Sequence, residues 1–107
     1  MSTKILANSM TPAYLTHPGE VIKDEIEYRG ITQHALAEQT GIAYSAINEM
    51  LNGKRAISEK SALLLEAALG IEAESIMLMQ YRYNMLDTKN DSSFMARLSS
   101  IRRIAAL

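Results

Sequence analysis

The chain has 107 residues, 48% of them hydrophobic and 21% charged, which suits a single globular domain with a short tail. It contains no Cys, excluding a disulfide framework, thiol chemistry and cysteine-ligated zinc or iron–sulfur centres. Eleven Lys+Arg stand against 12 Asp+Glu for a net charge of −1, a balance that by itself argues against nucleic acid, whose partners usually carry a basic footprint.

Taken in chain order, residues 1–15 read as a polar leader around Pro12, without periodicity. Pro18, after His17 and before Glu20, marks a helix start with proline in the first turn and an acid near the positive end of the dipole. Val21, Ile22 and Ile26 share one face of that helix, with Lys23, Asp24 and Glu27 on the other, and Gly30 stops it. Thr32 opens a short second helix with Leu36 and Ala37 inward, ended by Gly41. Residues 44–52 make a third, with Ile47, Met50 and Leu51 inward and Gly53 as its stop. Ser58 caps a fourth, in which Ala62, Leu65 and Leu69 recur at helical spacing before Gly70. A fifth runs from about Ala73 to Leu86, residues 87–93 read as a polar linker or turn, and Phe94, Leu98, Ile101 and Ala105 mark a last helix to Leu107. The fold class is all-α. The expected organisation is a leader over 1–15, a helical domain over 16–87, and a linker with a C-terminal helix over 88–107.

The informative span is residues 33–52, QHALAEQTGIAYSAINEMLN. Two helices joined by a tight turn need a small residue at their crossing, a residue tolerant of positive φ in the turn, and apolar pins under the second helix. Ala37, Gly41, and the set Leu36, Ile42, Ile47 and Met50 meet those needs in register. The outward set is Tyr44, Ser45, Asn48, Glu49 and Asn52, whose amides, hydroxyls and phenol suit base edges or phosphates in a major groove. Gln33 stands at the start of the first helix, where free backbone N–H groups favour phosphate. Lys54 and Arg55 follow in a Gly-turned loop, placed to hold the phosphate backbone. Glu49 repels phosphate unless it accepts from a cytosine amino group or pairs with a neighbouring Arg. His34 reads as an exposed helix residue, and Tyr44 has the alternative of covering the core edge.

The segment His17-Pro18-Gly19-Glu20-Val21-Ile22, the 33–52 span, Leu51-Asn52-Gly53-Lys54-Arg55-Ala56-Ile57-Ser58, and the run from Ala62 to Gly70 together resemble the HigA-type antitoxins, a branch of the Xre/Cro/repressor-like DNA-binding proteins. The resemblance covers roughly residues 15–86. It implies a five-helix, lambda-repressor-like DNA-binding domain, here with an extra C-terminal helix, that dimerises, represses its own operon and neutralises a small ribonuclease toxin. On that resemblance the DNA contacts fall on Gln33, Tyr44, Ser45, Asn48 and Asn52, with Lys54 and Arg55 on phosphate. Residues 74–80, Glu-Ser-Ile-Met-Leu-Met-Gln, depart from the family's Trp-containing segment.

Residues 76–86, IMLMQYRYNML, are apolar nearly all round a helix, whereas the surface helix of a lone domain carries a polar face. With Ile76, Met79 and Tyr83 toward the core, Met77, Leu78, Tyr81, Met85 and Leu86 are left as a dimer or partner surface. The alternative is that the last helix folds back over them, and both hold if that helix is swapped or packed across the dimer. That last segment holds Arg97, Arg102 and Arg103 and no acid; a toxin-docking helix, a further DNA contact and a solvated packing face are its three readings. The two histidines, His17 and His34, lie far apart, so neither a metal nor a cofactor is expected, and no catalytic nucleophile or acid–base pair stands out. No run approaches the roughly eighteen apolar residues that span a bilayer, and the first residues lack the apolar stretch of a secretory signal, so the expected compartment is the cytoplasm. The expected partners are double-stranded DNA with a palindromic operator, a second copy of the chain and a toxin. Two other functions fit the same pattern: a stand-alone Xre-type repressor, and a protein-interaction module that has lost DNA binding.

Overall fold

The computed structural model describes residues 15–106, which include six helices and no strand. The helices are α1 (Pro18–Arg29), α2 (Gln33–Thr40), α3 (Tyr44–Leu51), α4 (Glu59–Leu69), α5 (Ala73–Lys89) and α6 (Ser92–Ala105). The leader expected over residues 1–15 lies outside the described residues but for Leu15. The chain divides into two compact units, one of Thr16–Arg82 and one that takes in the residues from Tyr83 onward.

In the first unit the core follows the helical periodicity. Ile22 and Ile26 of α1, Leu36 of α2, Ile47, Met50 and Leu51 of α3, and Ala62, Leu65 and Leu69 of α4 are all buried, with Ile57, Ala73 and Ile76 beside them. Fully burying one such aliphatic side chain contributes about 1.5–3 kcal/mol, so this cluster is the main stabilising term of the unit. The inward positions expected of the first four helices are the ones found, apart from Val21, which is 39% exposed.

Helix ends are closed by side chains and by turns. His17 is the N-cap of α1, its Nδ1 accepting from the Gly19 N–H at 2.9 Å. Thr32 and Ser58 cap α2 and α4 through their hydroxyls. At the end of α1 the Gly30 N–H donates to Glu27 and the Ile31 N–H to Ile26, the paired bonds of a Schellman stop. Arg29 then reaches from α1 to donate to the Leu69 carbonyl at 2.9 Å, placing a cation against an unpaired carbonyl at the end of α4.

Gly19 shows why α1 and α3 approach so closely. A Cβ there would overlap the Met50 carbonyl oxygen and sit 2.7 Å from its carbon. Only a residue without a side chain lets the first turn of α1 rest on the end of α3.

The structure corrects the linker expected over residues 87–93. Asp87, Thr88 and Lys89 continue α5, and the connection to α6 shrinks to Asn90 and Asp91. Asp91 is the N-cap of α6, accepting from Phe94 N–H at 3.1 Å. Polar composition was a poor guide because these polar residues lie on a solvent-facing helix end, where backbone hydrogen bonding is satisfied regardless of side-chain polarity. α6 buries none of its residues.

Candidate nucleic-acid interface

The turn between α2 and α3 is built from three local interactions. Gly41 adopts φ 78, the left-handed conformation that reverses the chain at little steric cost. The Thr40 hydroxyl donates to the Leu36 carbonyl at 2.8 Å and accepts from the Ile42 N–H at 3.2 Å, tying the end of one helix to the approach of the next. Ile42 packs against the core, and Ile47, Met50 and Leu51 hold α3 down from below. No side chain caps the start of α3 at Ala43, so that end keeps donors for solvent or an anion.

The opposite face of α3 is polar. Tyr44, Ser45, Asn52, Lys54 and Arg55 are exposed, while Gln33, Asn48 and Glu49 are half-buried. Asn48 donates through Nδ2 to Gln33 Oε1 at 2.9 Å, which couples the two helices across the motif. That bond leaves the Gln33 amide N–H₂ as a donor and the Asn48 oxygen as an acceptor, a complementary pair for a base edge. Tyr44 lies flat on His34, with ring centroids 3.9 Å apart and planes within 6°. Asn52 turns back toward α1, its Oδ1 accepting from Lys23 Nζ at 3.1 Å and its Nδ2 donating to the Asn48 carbonyl.

Glu49 pairs with Arg55, which donates from Nε to Glu49 Oε1 at 2.8 Å and approaches it through Nη2 at 2.6 Å. The carboxylate at the edge of α3 is therefore partly neutralised by the loop cation, and Lys54, exposed beside it, carries the uncompensated charge of the loop.

The loop itself is anchored at both ends. The Lys54 N–H donates to the Glu49 carbonyl at 2.8 Å and the Gly53 N–H to that of Met50 at 3.2 Å. His17, 2% exposed, lies beneath the loop, hydrogen-bonded to the Arg55 backbone. Burial lowers the pKa of His17, an effect partly offset by the Glu20 carboxylate and the Arg55 hydrogen bond. At the far end the Ile57 N–H donates to Gln80 Oε1 at 2.9 Å, with Gln80 only 3% exposed. A loop held this way presents Lys54 at a defined position relative to α3.

His17, Lys23, His34, Thr40 and Gln80 were not singled out as parts of this assembly from sequence. Ala73, Ile76 and Gln80 do share the helical spacing of a buried face, which was the available signal for Gln80. The His34–Tyr44 and Lys23–Asn52 contacts cross between helices and leave no trace in spacing. On α5, Leu78, Tyr81 and Met85 are exposed, Leu86 is half-buried, and Met77 is half-buried against the core.

Two helices pinned at a glycine turn, with a polar face over an anchored cationic loop, define a helix-turn-helix protein, and the sequence profile of the helix-turn-helix family matches residues 22–76. The chain is 36% identical over 73 residues to antitoxin HigA-1 of Vibrio cholerae, an alignment covering 67% of this chain and 69% of that one. It is 34% identical over 76 residues to virulence-associated protein I of Dichelobacter nodosus, covering 70% of each. The solved HigA-family addiction-module antidote protein of Coxiella burnetii superposes with a TM-score of 0.70 at 25% identity, over 78% of this chain and 91% of that one. A Pseudomonas aeruginosa antitoxin HigA solved with the higBA promoter shares the fold, with a TM-score of 0.67 at 24% identity over 84% and 94%. The chain belongs to the helix-turn-helix family, in its HigA-type antitoxin branch.

Proposed function

We propose that this chain is a DNA-binding repressor of its own toxin–antitoxin operon and the antitoxin that neutralises the partner ribonuclease toxin. It acts in the cytoplasm and has no catalytic role. Two copies related by two-fold symmetry place their α3 helices in successive major grooves of a palindromic operator, about 34 Å apart. Gln33, Tyr44, Ser45 and Asn48 face base edges, with Asn52 and Glu49 at the margin. Lys54, and Arg55 once it leaves or shares Glu49, hold phosphate and fix the register. Toxin is blocked by a surface outside the helix-turn-helix: the leader, α5 or α6.

The observation that carries the DNA reading is the coupled pair Gln33–Asn48 on the outward face of α3, beside a loop anchored at His17 and Gln80. A net charge of −1 is compatible with it only with few phosphate contacts per copy, because Glu20, Asp24 and Glu27 line a depression together with Asn52. Glu20, Asp24, Glu25 and Glu27 lie on α1, while the cations of the interface lie at Lys54 and Arg55. Few phosphate contacts per copy imply weak non-specific binding and useful affinity only from the dimer.

Binding to the chain's own upstream DNA, followed by gel shift over a salt series, tests this. Asn48→Ala is expected to cost about 1–3 kcal/mol and to relax discrimination between sequences. Lys54→Ala should weaken all sequences alike and reduce the salt slope by about 1 per copy, about 2 for the bound dimer. Unchanged binding by both variants would sink the interface, and no binding by the unmodified chain would leave a protein-interaction module. Co-purification with the product of the adjacent gene tests the antitoxin half; without such a partner the chain is a stand-alone repressor.

A further inference from the structure

On the outer side of α4 and the start of α5 lies a groove of about 300 Å³ that DNA recognition does not use. Leu63, Ala73 and Met77 form an apolar floor, and Glu59, Glu66 and Glu74 line its rim. Leu63 is 58% exposed, a large aliphatic side chain left open to water. Glu59 and Glu66 stand on one face of α4, about 10.5 Å apart along its axis. Glu66 is held at the edge by accepting the Ala73 N–H at 3.3 Å.

The same chain carries the complement of this groove. Phe94, Leu98, Ile101 and Ala105 of α6 fall within about 60° of arc, and Arg97 and Arg102 flank that stripe on either side. No acid occurs from residue 92 to the end of the sequence. α6 buries none of its residues, and Ile101 is 53% exposed. A helix of 14 residues draws little stability from its own hydrogen bonds in water and gains it by burying an amphipathic face.

We propose that α6 of one copy seats in the α4–α5 groove of a second copy, reciprocally, closing the dimer by exchange of C-terminal helices. The inference rests on the homodimer proposed above and names its surface. The apolar stripe on the apolar floor supplies the attraction, and Arg97 and Arg102 against the glutamates set direction and register. Two-fold symmetry uses each groove once and leaves no open end.

Because the chain lacks Cys, engineered cysteines report without interference. Differently tagged copies carrying Leu63→Cys and Ile101→Cys are mixed, oxidised and compared with the double variant, alongside the sedimentation mass of the unmodified chain. The expected result is a disulfide between the two tagged copies and a dimeric mass. Arg97→Glu with Arg102→Glu should weaken the dimer about tenfold, as two exposed ion pairs would, and a partner copy with Glu59→Lys and Glu74→Lys should restore it. A disulfide formed only within the double variant overturns exchange in favour of docking in the same chain. A dimeric mass with no disulfide in either arrangement overturns exchange and leaves the dimer standing. A monomeric mass overturns both.

Discussion

The unit from Thr16 to Arg82 and the helix α6 carry similar sequence patterns and end in different physical states. Both show apolar residues at helical spacing and both form helices with side-chain N-caps. In the first, twelve hydrophobic side chains close on one another; in α6 none is buried. Periodicity therefore specifies a helix and a face, while burial depends on whether another face is available to meet it.

That contrast is open to breaking by substitution. The largest expected effect is Leu51→Ala, which removes a fully buried side chain and should cost about 2–5 kcal/mol in denaturant unfolding. Ile101→Ala, in the same assay at concentrations too low for dimers, should change stability by less than about 0.5 kcal/mol. Equal losses would mean that α6 belongs to the folded core. Gly19→Ala should cost about 3 kcal/mol, the upper end of overpacking, because the added methyl meets backbone rather than a movable side chain. Its operator affinity should fall with stability, since the displaced neighbour is the end of the recognition helix. Gln80→Leu keeps the apolar fit but leaves the buried Ile57 N–H unpaired, for an expected loss of about 1–3 kcal/mol. A change within error would show that the loop does not depend on that anchor.

The smallest effects are those of pH, and they sharpen the contrast by occurring in different windows. His17 has a folded pKa below its ordinary value of 6.5, so below pH 6.5 the unfolded chain binds more protons than the folded one. Its contribution is full above pH 6.5 and is lost progressively as pH falls below it, which thermal melts of the unmodified chain and of His17→Asn should resolve. Asp91, fully exposed, is also lowered, by its hydrogen bonds from the Phe94 backbone and the Ser93 side chain. Its stabilisation of the start of α6 is present above the ordinary value of 3.8 and fades as pH falls through the folded pKa, a change visible in amide shifts of Ser93 and Phe94. Melts that lose stability only near pH 4 would remove His17 from this account.

Much of the candidate interface was legible because its determinants are local. Gly41 at its turn, the pins Ile47 and Met50, and the outward Tyr44, Ser45 and Asn48 sit within one short span, where helical spacing assigns faces directly. What escaped was every contact made across helices: Asn48 with Gln33, Tyr44 with His34, Asn52 with Lys23, and Gln80 with the loop. Arg55 illustrates the difference. Its position in a cationic loop is plain in sequence, and pairing with a neighbouring Arg was one of two readings of Glu49, but only the turn's geometry brings the Arg55 guanidinium onto that carboxylate six residues away.

Sequence alone determined the first four helices, their inward faces apart from Val21, and the family, because apolar period, capping residues and glycine stops act over a few residues. In α5 it placed Met79 and Tyr83 inward and Met77 outward, where the structure buries Ala73, Ile76 and Gln80 and packs Met77 on the core. Tertiary structure decided the rest. It showed that Gly19 is required for space, that His17 is a buried cap under a loop, that the polar run after Leu86 continues a helix, and that an acidic-rimmed groove and an uncovered basic helix coexist in one chain. The helix continuation and the cap bond are local, whereas the clearance at Gly19, the burial of His17 and the groove depend on residues far apart in the chain and are fixed by the packing of whole faces.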